Sequence, residues 1–420
     1  MATTRRKFIQ MTSAATAAAV LARAGPLKRA LGANERLGVG YIGAGGRAGA
    51  HMSCVKYLRD EQKMPVEPVA VCDVYRPRME RAAKGLGVKG YMDYKELLAD
   101  PKVDLVCIAT PDHHHGYQAI DALKAGKHVY CEKPVTHWRQ FDLTKKLAEE
   151  VRKSGKAFQC GTQGMSDGAW HKMKKLVAEG AVGRPIHAQC GFFRVGDWGE
   201  VGMPIDDPNA KPGPDLNWEA FLGDAPKKPF DPSRFFRWRM YEDYAGGPVT
   251  DLFPHCLTPV VSILGVGFPS IVVATGGMFR YTERDVPDTF NMLIDYPEKL
   301  TIAALGTQGN NDPTTQQRGA GGGVPVIRGW EGSLTVRGNE IVFMPAEGSK
   351  KQAQKFPIEY GENLGDHWKN LIENARAGKH DTWAGEDLTY HVQTALIMGA
   401  WALKQGKVAK FDAAKQEISI

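Results

Sequence analysis

No stretch of about 18 uninterrupted apolar residues occurs in the 420-residue chain, which excludes a polytopic membrane protein. Cysteine is scarce and odd in number. The seven are Cys54, Cys72, Cys107, Cys131, Cys160, Cys190 and Cys256, without paired metal spacing and mostly inside strand-like apolar runs. They read as small buried hydrophobes, not as a disulfide framework. Acidic residues are missing before Glu35, whereas Arg5, Arg6, Lys7, Arg23, Lys28 and Arg29 all precede it. The net charge of +7 is therefore mostly a property of this tail, and without it the body carries about +1. A basic stripe interleaved with aromatics is also missing, which argues against a nucleic-acid partner.

What is present is ordinary globular usage, 43% hydrophobic and 24% charged. That excludes a disordered, collagen-like or coiled-coil chain. The length suits two or three domains.

The first residues look like an address. Residues 4–10 read TRRKFIQ, with paired arginines and then Phe8 and Ile9. An uncharged, Ala-rich stretch follows to Leu21, with small-x-small cleavage sites readable at Ala22–Ala24 and near Ala33. This resembles a twin-arginine export signal over residues 1–33 and implies a periplasmic or otherwise exported protein. No cysteine follows closely, so no lipid or other membrane anchor is expected.

From Leu37 short apolar runs alternate with helical patterns. Strands are expected at Leu37–Ile42, Val66–Cys72, Asp104–Ala109, His128–Cys131 and Ala157–Cys160, with helices such as Gln118–Ala125 and Phe141–Lys153. Strand, helix, strand at this spacing argues for a parallel sheet covered on both faces. The first strand runs into GYIGAGGRAGA, residues 40–50. Gly43-x-Gly45-x-x-Ala48 is a dinucleotide-binding fingerprint with alanine in its third place. Gly43 permits the tight turn, Gly45 lets the backbone approach a pyrophosphate, and Ala48 allows close helix packing. Gly46 and Arg47 open the helix whose N-terminus would receive the phosphates. Asp73, closing the second strand, suits both ribose hydroxyls of NAD. Arg76 and Arg78 keep NADP open, because an arginine there can take a 2′-phosphate.

Two further segments, TPDHHHGYQAIDALKAGKHVYCEKP at residues 110–134 and GGPVTDLFPH at 246–255, join this fingerprint in a pattern that resembles the Gfo/Idh/MocA oxidoreductases from about Leu37 to near the C-terminus. The resemblance implies a Rossmann α/β nucleotide-binding domain (34–160) and an α+β domain with an open, mostly antiparallel sheet (161–362). Strand-like runs at Ile186–Phe193, Ile271–Ala274, Phe290–Ile294, Leu300–Ala304 and Ser333–Val336 agree with it. Helices over 363–420 are expected to pack back on the first domain. The open sheet implies a homodimer or homotetramer. By the same resemblance Lys133 touches the nicotinamide ribose and the reacting hydroxyl, and Glu132 helps hold the cofactor. Thr110, Pro111, His115 and Gln163 lie near the nicotinamide, and Asp251 and His255 complete the site.

The chemistry asks for these residue types independently. Oxidising an alcohol removes a proton from oxygen while a hydride leaves carbon. A lysine can stabilise the developing alkoxide, and a histidine can accept the proton near neutral pH. Asp251 and His255 are four apart and share a face if a helix begins near Asp251, with Pro254 in its first turn. The triplet His113–His115 reads as a loop at the cofactor edge, not as a metal site, because consecutive side chains do not converge on one ion.

Residues 196–245 form a long insert rich in Pro, Trp and Arg. Long loops in compact proteins are usually functional. Aromatic faces stack on sugars and arginines fork to hydroxyls, so Trp198, Arg237, Trp238, Arg239, Tyr241 and Tyr244 are the substrate candidates. The glycine-rich segment from Arg318 to Gly323 has no readable role.

Export restricts the chemistry. An exported NAD enzyme has little free cofactor to exchange, so it must hold its dinucleotide and restore its redox state. Three functions follow. One is a sugar or cyclitol oxidoreductase with tightly bound NAD(P). Another is an NAD-dependent glycosidase that oxidises, eliminates, hydrates and re-reduces, with His255 or a tyrosine near 241–244 taking the C–H proton. The last is a non-catalytic sugar- or nucleotide-binding protein.

Overall fold

The computed structural model describes residues 36–196, 203–312, 316–319 and 322–420. The twin-arginine segment and Trp198 lie outside them.

The first domain is built from β1 (Leu37–Ile42), α1 (Gly46–Asp60), β2 (Val66–Cys72), α2 (Arg76–Leu86), β3 (Lys89–Tyr91), α3 (Tyr94–Ala99), β4 (Leu105–Ile108), α4 (Asp112–Lys124), β5 (His128–Cys131), α5 (Phe141–Ser154) and β6 (Phe158–Cys160). All six strands are parallel, in the order β3-β2-β1-β4-β5-β6. The helices follow from amphipathic spacing. In α5, Phe141, Leu143, Thr144, Leu147, Ala148 and Val151 are buried, and Gly155 at φ 62° ends the helix. The strand order reverses between β1 and β4, so a crevice opens at their C-terminal ends, where this topology takes its ligands.

The second domain contains α6 (Gly168–Ala178), β7 (Pro185–Val195), the insert helices α7 (Trp218–Leu222) and α8 (Pro232–Phe236), then α9 (Pro248–Asp251) and α10 (Phe253–Leu264). Strands β8 (Ile271–Gly277), β9 (Thr289–Tyr296), β10 (Leu300–Thr307), β11 (Gly309–Asn310), β12 (Gln317–Arg318), β13 (Gly322–Gly329), β14 (Gly332–Arg337), β15 (Glu340–Pro345) and β16 (Gln354–Pro357) follow. The chain ends with α11 (Leu364–Ala377), α12 (Glu386–Gln405), β17 (Ala409–Asp412) and β18 (Glu417–Ser419). The large sheet is antiparallel except where β7 runs parallel to β10. Strand β9 shows the reason for a one-sided sheet. Phe290, Met292, Ile294 and Tyr296 alternate inward onto the helices, while Leu293 faces out.

Two expectations are corrected. The C-terminal segment is not all helical, because residues 409–419 form a hairpin on the edge of the large sheet beside β8. Both terminal helices reach the nucleotide domain, α11 through α1 and α12 through α5 and β6, while α12 also packs on β8 and α10. The helix expected to start near Asp251 is broken. Asp251 ends α9, Leu252 separates the two pieces, and His255 stands in the first turn of α10.

The insert has a core of its own. Tyr75 from the nucleotide domain packs with Leu216, Trp218, Phe221, Phe235, Phe236, Trp238 and Tyr244. The insert is thereby fastened to the β2–α2 loop, at one end of the crevice.

Candidate active site

A cleft of about 1150 Å³ runs along the crevice, enough for a dinucleotide and a small substrate together. Gly43, Gly45, Gly46, Arg47, Asp73, Thr110, Pro111, His115, Glu132 and Lys133 line it, as do Trp238 and Arg239 of the insert. Gly43 adopts φ +92°, and a Cβ there would stand 2.7 Å from the Ala109 carbonyl oxygen. The turn therefore needs glycine for its own geometry. A Cβ on Gly45 or Gly46 would meet nothing within 4 Å, and the first turn of α1 has no side-chain cap. Open backbone over uncapped N–H groups is a cradle that fits a pyrophosphate. Asp73 is anchored beside it, accepting from the amides of Ala44 at 2.8 Å and Tyr75 at 2.9 Å.

At the other end, the Lys133 ammonium donates to the carboxylate and to the backbone carbonyl of Asp251, both at 2.6 Å. Arg239 and Arg194 approach the same carboxylate at 3.4 and 3.7 Å. Burial alone would raise the Asp251 pKa, but Lys133, Arg239 and Arg194 hold it well below the carboxylate range. Asp251 itself does not line the large cleft. It stands behind Lys133 and fixes the ammonium at the cleft wall.

His255 also stands behind that wall. It borders a separate small cavity of about 20 Å³ with Asp167, Arg318 and Glu362, and its Nδ1 has no hydrogen-bond partner. Burial and the Lys133 charge push its pKa down to about 3, so the imidazole is neutral at ordinary pH and only weakly basic in this setting.

Glu132 forms part of the cleft floor and belongs to a buried network. Its Oε1 accepts from Arg47 and His51, each at 2.8 Å. The indole N–H of Trp368, on α11, donates to His51 Nδ1 at 2.9 Å. With Nδ1 accepting, the other ring nitrogen must donate to Glu132, so the network selects one His51 tautomer. Burial would raise the Glu132 pKa, and Arg47 and His51 drive it far down. Gln163 accepts from Arg47 at 3.1 Å, outside the cleft lining.

The histidine triplet is structural glue. His113 and His114 both point a ring nitrogen at the Phe221 carbonyl, tying α4 to the insert. His115 sits between the carbonyls of Pro134 and Thr110 at 2.6 and 2.7 Å. Among the described residues no cluster of metal-ligating side chains occurs.

Three of the substrate candidates turn away from the cleft. Arg237 donates to the Met203 carbonyl. The Tyr241 hydroxyl donates to Ser233. Tyr244 is fully buried in the insert's core. These side chains hold the insert together and do not line the large cleft, so neither tyrosine is placed for the C–H proton of the glycosidase route. Trp238 and Arg239 remain, stacked with the guanidinium 4.2 Å from the ring centroid.

Sequence reasoning missed Asp112. It opens α4 in the cleft, 4% exposed. Burial outweighs Arg239 and Lys133 and pushes its pKa up to about 7. It also missed Arg194, and Asp167, a buried carboxylate that caps α6 and pairs with Arg318 at 2.6 Å. The TPD tripeptide carried Asp112 in plain view, but nothing in the sequence marks an aspartate for burial.

A Rossmann crevice with an uncapped phosphate cradle, and a lysine–aspartate pair at its far end, defines a nucleotide-dependent oxidoreductase architecture. The description "Oxidoreductase family, NAD-binding Rossmann fold" matches residues 37–162, and "Oxidoreductase family, C-terminal alpha/beta domain" matches 167–273. The chain belongs to the Gfo/Idh/MocA oxidoreductase family, and NAD is the dinucleotide of its Rossmann domain. It is similar to the inositol 2-dehydrogenase of Rubrobacter xylanophilus, 33% identical over 37% of this chain and 43% of that one. The scyllo-inositol 2-dehydrogenase (NAD(+)) of Bacillus subtilis is 35% identical over 30% of this chain and 36% of that one. The match thus spans less than half the length of these curated relatives. A levoglucosan dehydrogenase in complex with NADH and levoglucosan shares the fold, with TM-score 0.67 and 19% identity over 90% of this chain and 99% of that one.

Proposed function

We propose that the protein is an NAD-dependent oxidoreductase acting on a sugar or cyclitol hydroxyl. The observation that carries this reading is the Lys133–Asp251 pair at the end of the dinucleotide cleft, with a neutral imidazole close by. The Lys133 ammonium donates a hydrogen bond to the substrate oxygen and stabilises the alkoxide that develops there. Asp251 keeps the ammonium oriented and balances its charge. His255 is the candidate acceptor of the hydroxyl proton, a role that requires its imidazole to turn into the cleft when dinucleotide and substrate are bound. Bound NAD+ supplies the acceptor for the hydride leaving carbon. Arg239, backed by the Trp238 ring at the cleft lining, suits a polyol as a hydrogen-bond donor. The inositol and levoglucosan enzymes among the similar proteins support that substrate class.

The paired Arg5 and Arg6 support export, and export in turn supports a dinucleotide retained between turnovers. A second copy is proposed to cover the outward sheet face, where Val273 and Leu293 pair across β8 and β9 and both are exposed. The test begins with protein purified without added nucleotide, denatured and assayed by mass spectrometry. Stoichiometric NAD(H) is expected, followed by absorbance at 340 nm on adding cyclitols and sugars. Protein that neither carries nor binds NAD contradicts the reading.

A further inference from the structure

The two arginines that kept NADP open are both engaged by acids of the insert. Arg76 donates to the Asp215 carboxylate at 2.8 Å, and its amide donates to the Asp215 carbonyl at 2.8 Å. Arg78 donates to Asp206 at 2.8 Å and lies 5.0 Å over the Phe236 ring. The two pairs differ in position. Asp215 lies on the outside, 69% exposed. Asp206 lines the cleft together with Asp73 and Arg78, and the Arg78–Asp206 pair is partly buried, 17% and 29% exposed.

We infer that Asp206 determines dinucleotide specificity by occupying Arg78, so that the adenosine end accepts a 2′-hydroxyl and rejects a 2′-phosphate. This rests on the NAD-dependent reading above. A 2′-phosphate carries nearly two negative charges and is normally met by an arginine fork. Here the Arg78 guanidinium, in the first turn of the helix that follows Asp73, is already paired. A phosphate entering there faces the carboxylates of Asp73 and Asp206 together. Arg81 and Lys95 also line this end, but among the described residues neither has an acid pinned to it. They supply a general positive field, whereas Arg78 is the cation that a second residue switches off. Asp206 reaches the cleft from 128 positions away. It arrives because Tyr75, Phe235 and Phe236 pack the insert onto the β2–α2 loop and Asn217 donates its amide to the Val74 carbonyl at 2.9 Å.

The experiment measures Kd for NAD+ and NADP+ by calorimetry on nucleotide-free wild type, D206N, and D206N combined with R78A. Wild type is expected to prefer NAD+. D206N keeps the side-chain shape, frees Arg78 and removes one repelling charge, so the affinity ratio should move toward NADP+ by about tenfold or more. The double variant should lose that gain. An unchanged ratio in D206N with NAD+ binding intact overturns the assignment, as does a gain that survives loss of Arg78. Wild type binding NADP+ as tightly as NAD+ also overturns it. Wild type that binds neither dinucleotide overturns the NAD reading itself, and this inference with it.

Discussion

The ammonium of Lys133 donates at 2.6 Å to both the carboxylate and the backbone carbonyl of Asp251, joining a loop of the nucleotide domain to a helix end of the second domain. Truncating the lysine should therefore separate binding from chemistry. In K133M, kcat is expected to fall by about 10²- to 10³-fold, while Kd for NAD+ changes little. Steady-state kinetics beside calorimetry checks this. D251A should instead cost stability, about 3 kcal/mol, because it strands the Lys133 charge beside Arg194 and Arg239. Urea unfolding reads that loss.

Two glycines of the fingerprint should respond differently to alanine. Gly43 is at φ +92° with the Ala109 carbonyl in the way, so G43A should destabilise the fold by about 1–3 kcal/mol. Gly45 has open space, so G45A should leave the melting temperature unchanged and weaken NAD+ binding by tenfold or more, since its methyl enters the phosphate cradle. Paired melting curves and binding isotherms distinguish the two effects.

Asp112 makes stability pH-dependent in an unusual direction. Its folded pKa, about 7, lies above the ordinary aspartate value, so between the two the folded state binds the extra proton. Its contribution is fully present below about pH 4 and is lost as pH rises through 7, about 4 kcal/mol in all. D112N should therefore be more stable than wild type at pH 8, with the advantage shrinking toward pH 5. Urea midpoints at the two pH values provide the check.

Histidines enclosed or half-enclosed by the fold act oppositely. Burial pushes His114 down to about 4, and His128, His137, His255 and His367 to about 3. Between those values and their ordinary pKa the unfolded state binds more protons. Stability is lost as pH falls below about 6.5, steeply because several groups titrate together. Acid unfolding monitored by fluorescence should show uptake of several protons.

Much of the fold was legible because local pattern and final environment agree. β1, β2 and β5 have the bounds expected from their apolar runs, and the glycine turn stands where the strand ends. The Lys133–Asp251 pair, 118 positions apart, was legible only as a family pattern. What stayed hidden depends on distant partners. Tyr244 and Trp238 are both aromatics of the insert core, yet only Trp238 also reaches the cleft lining. The break at Leu252 was also hidden, since two prolines in one segment suit either a single helix or two. Asp206 and Arg78 gave no local sign of their pairing. The terminal hairpin at 409–419 falls within the expected C-terminal helices, since its strand pairing depends on the open edge that β8 offers.

The central claim is that the Lys133 end of the cleft carries a hydride transfer. Its most direct measurement is the single-turnover rise at 340 nm on mixing NAD-loaded protein with a panel of cyclitols and sugars, for wild type and K133M side by side. The account expects a rise in wild type with at least one polyol, slowed by about 10²-fold or more in K133M that still holds NAD. A rise at the wild-type rate in K133M would contradict it.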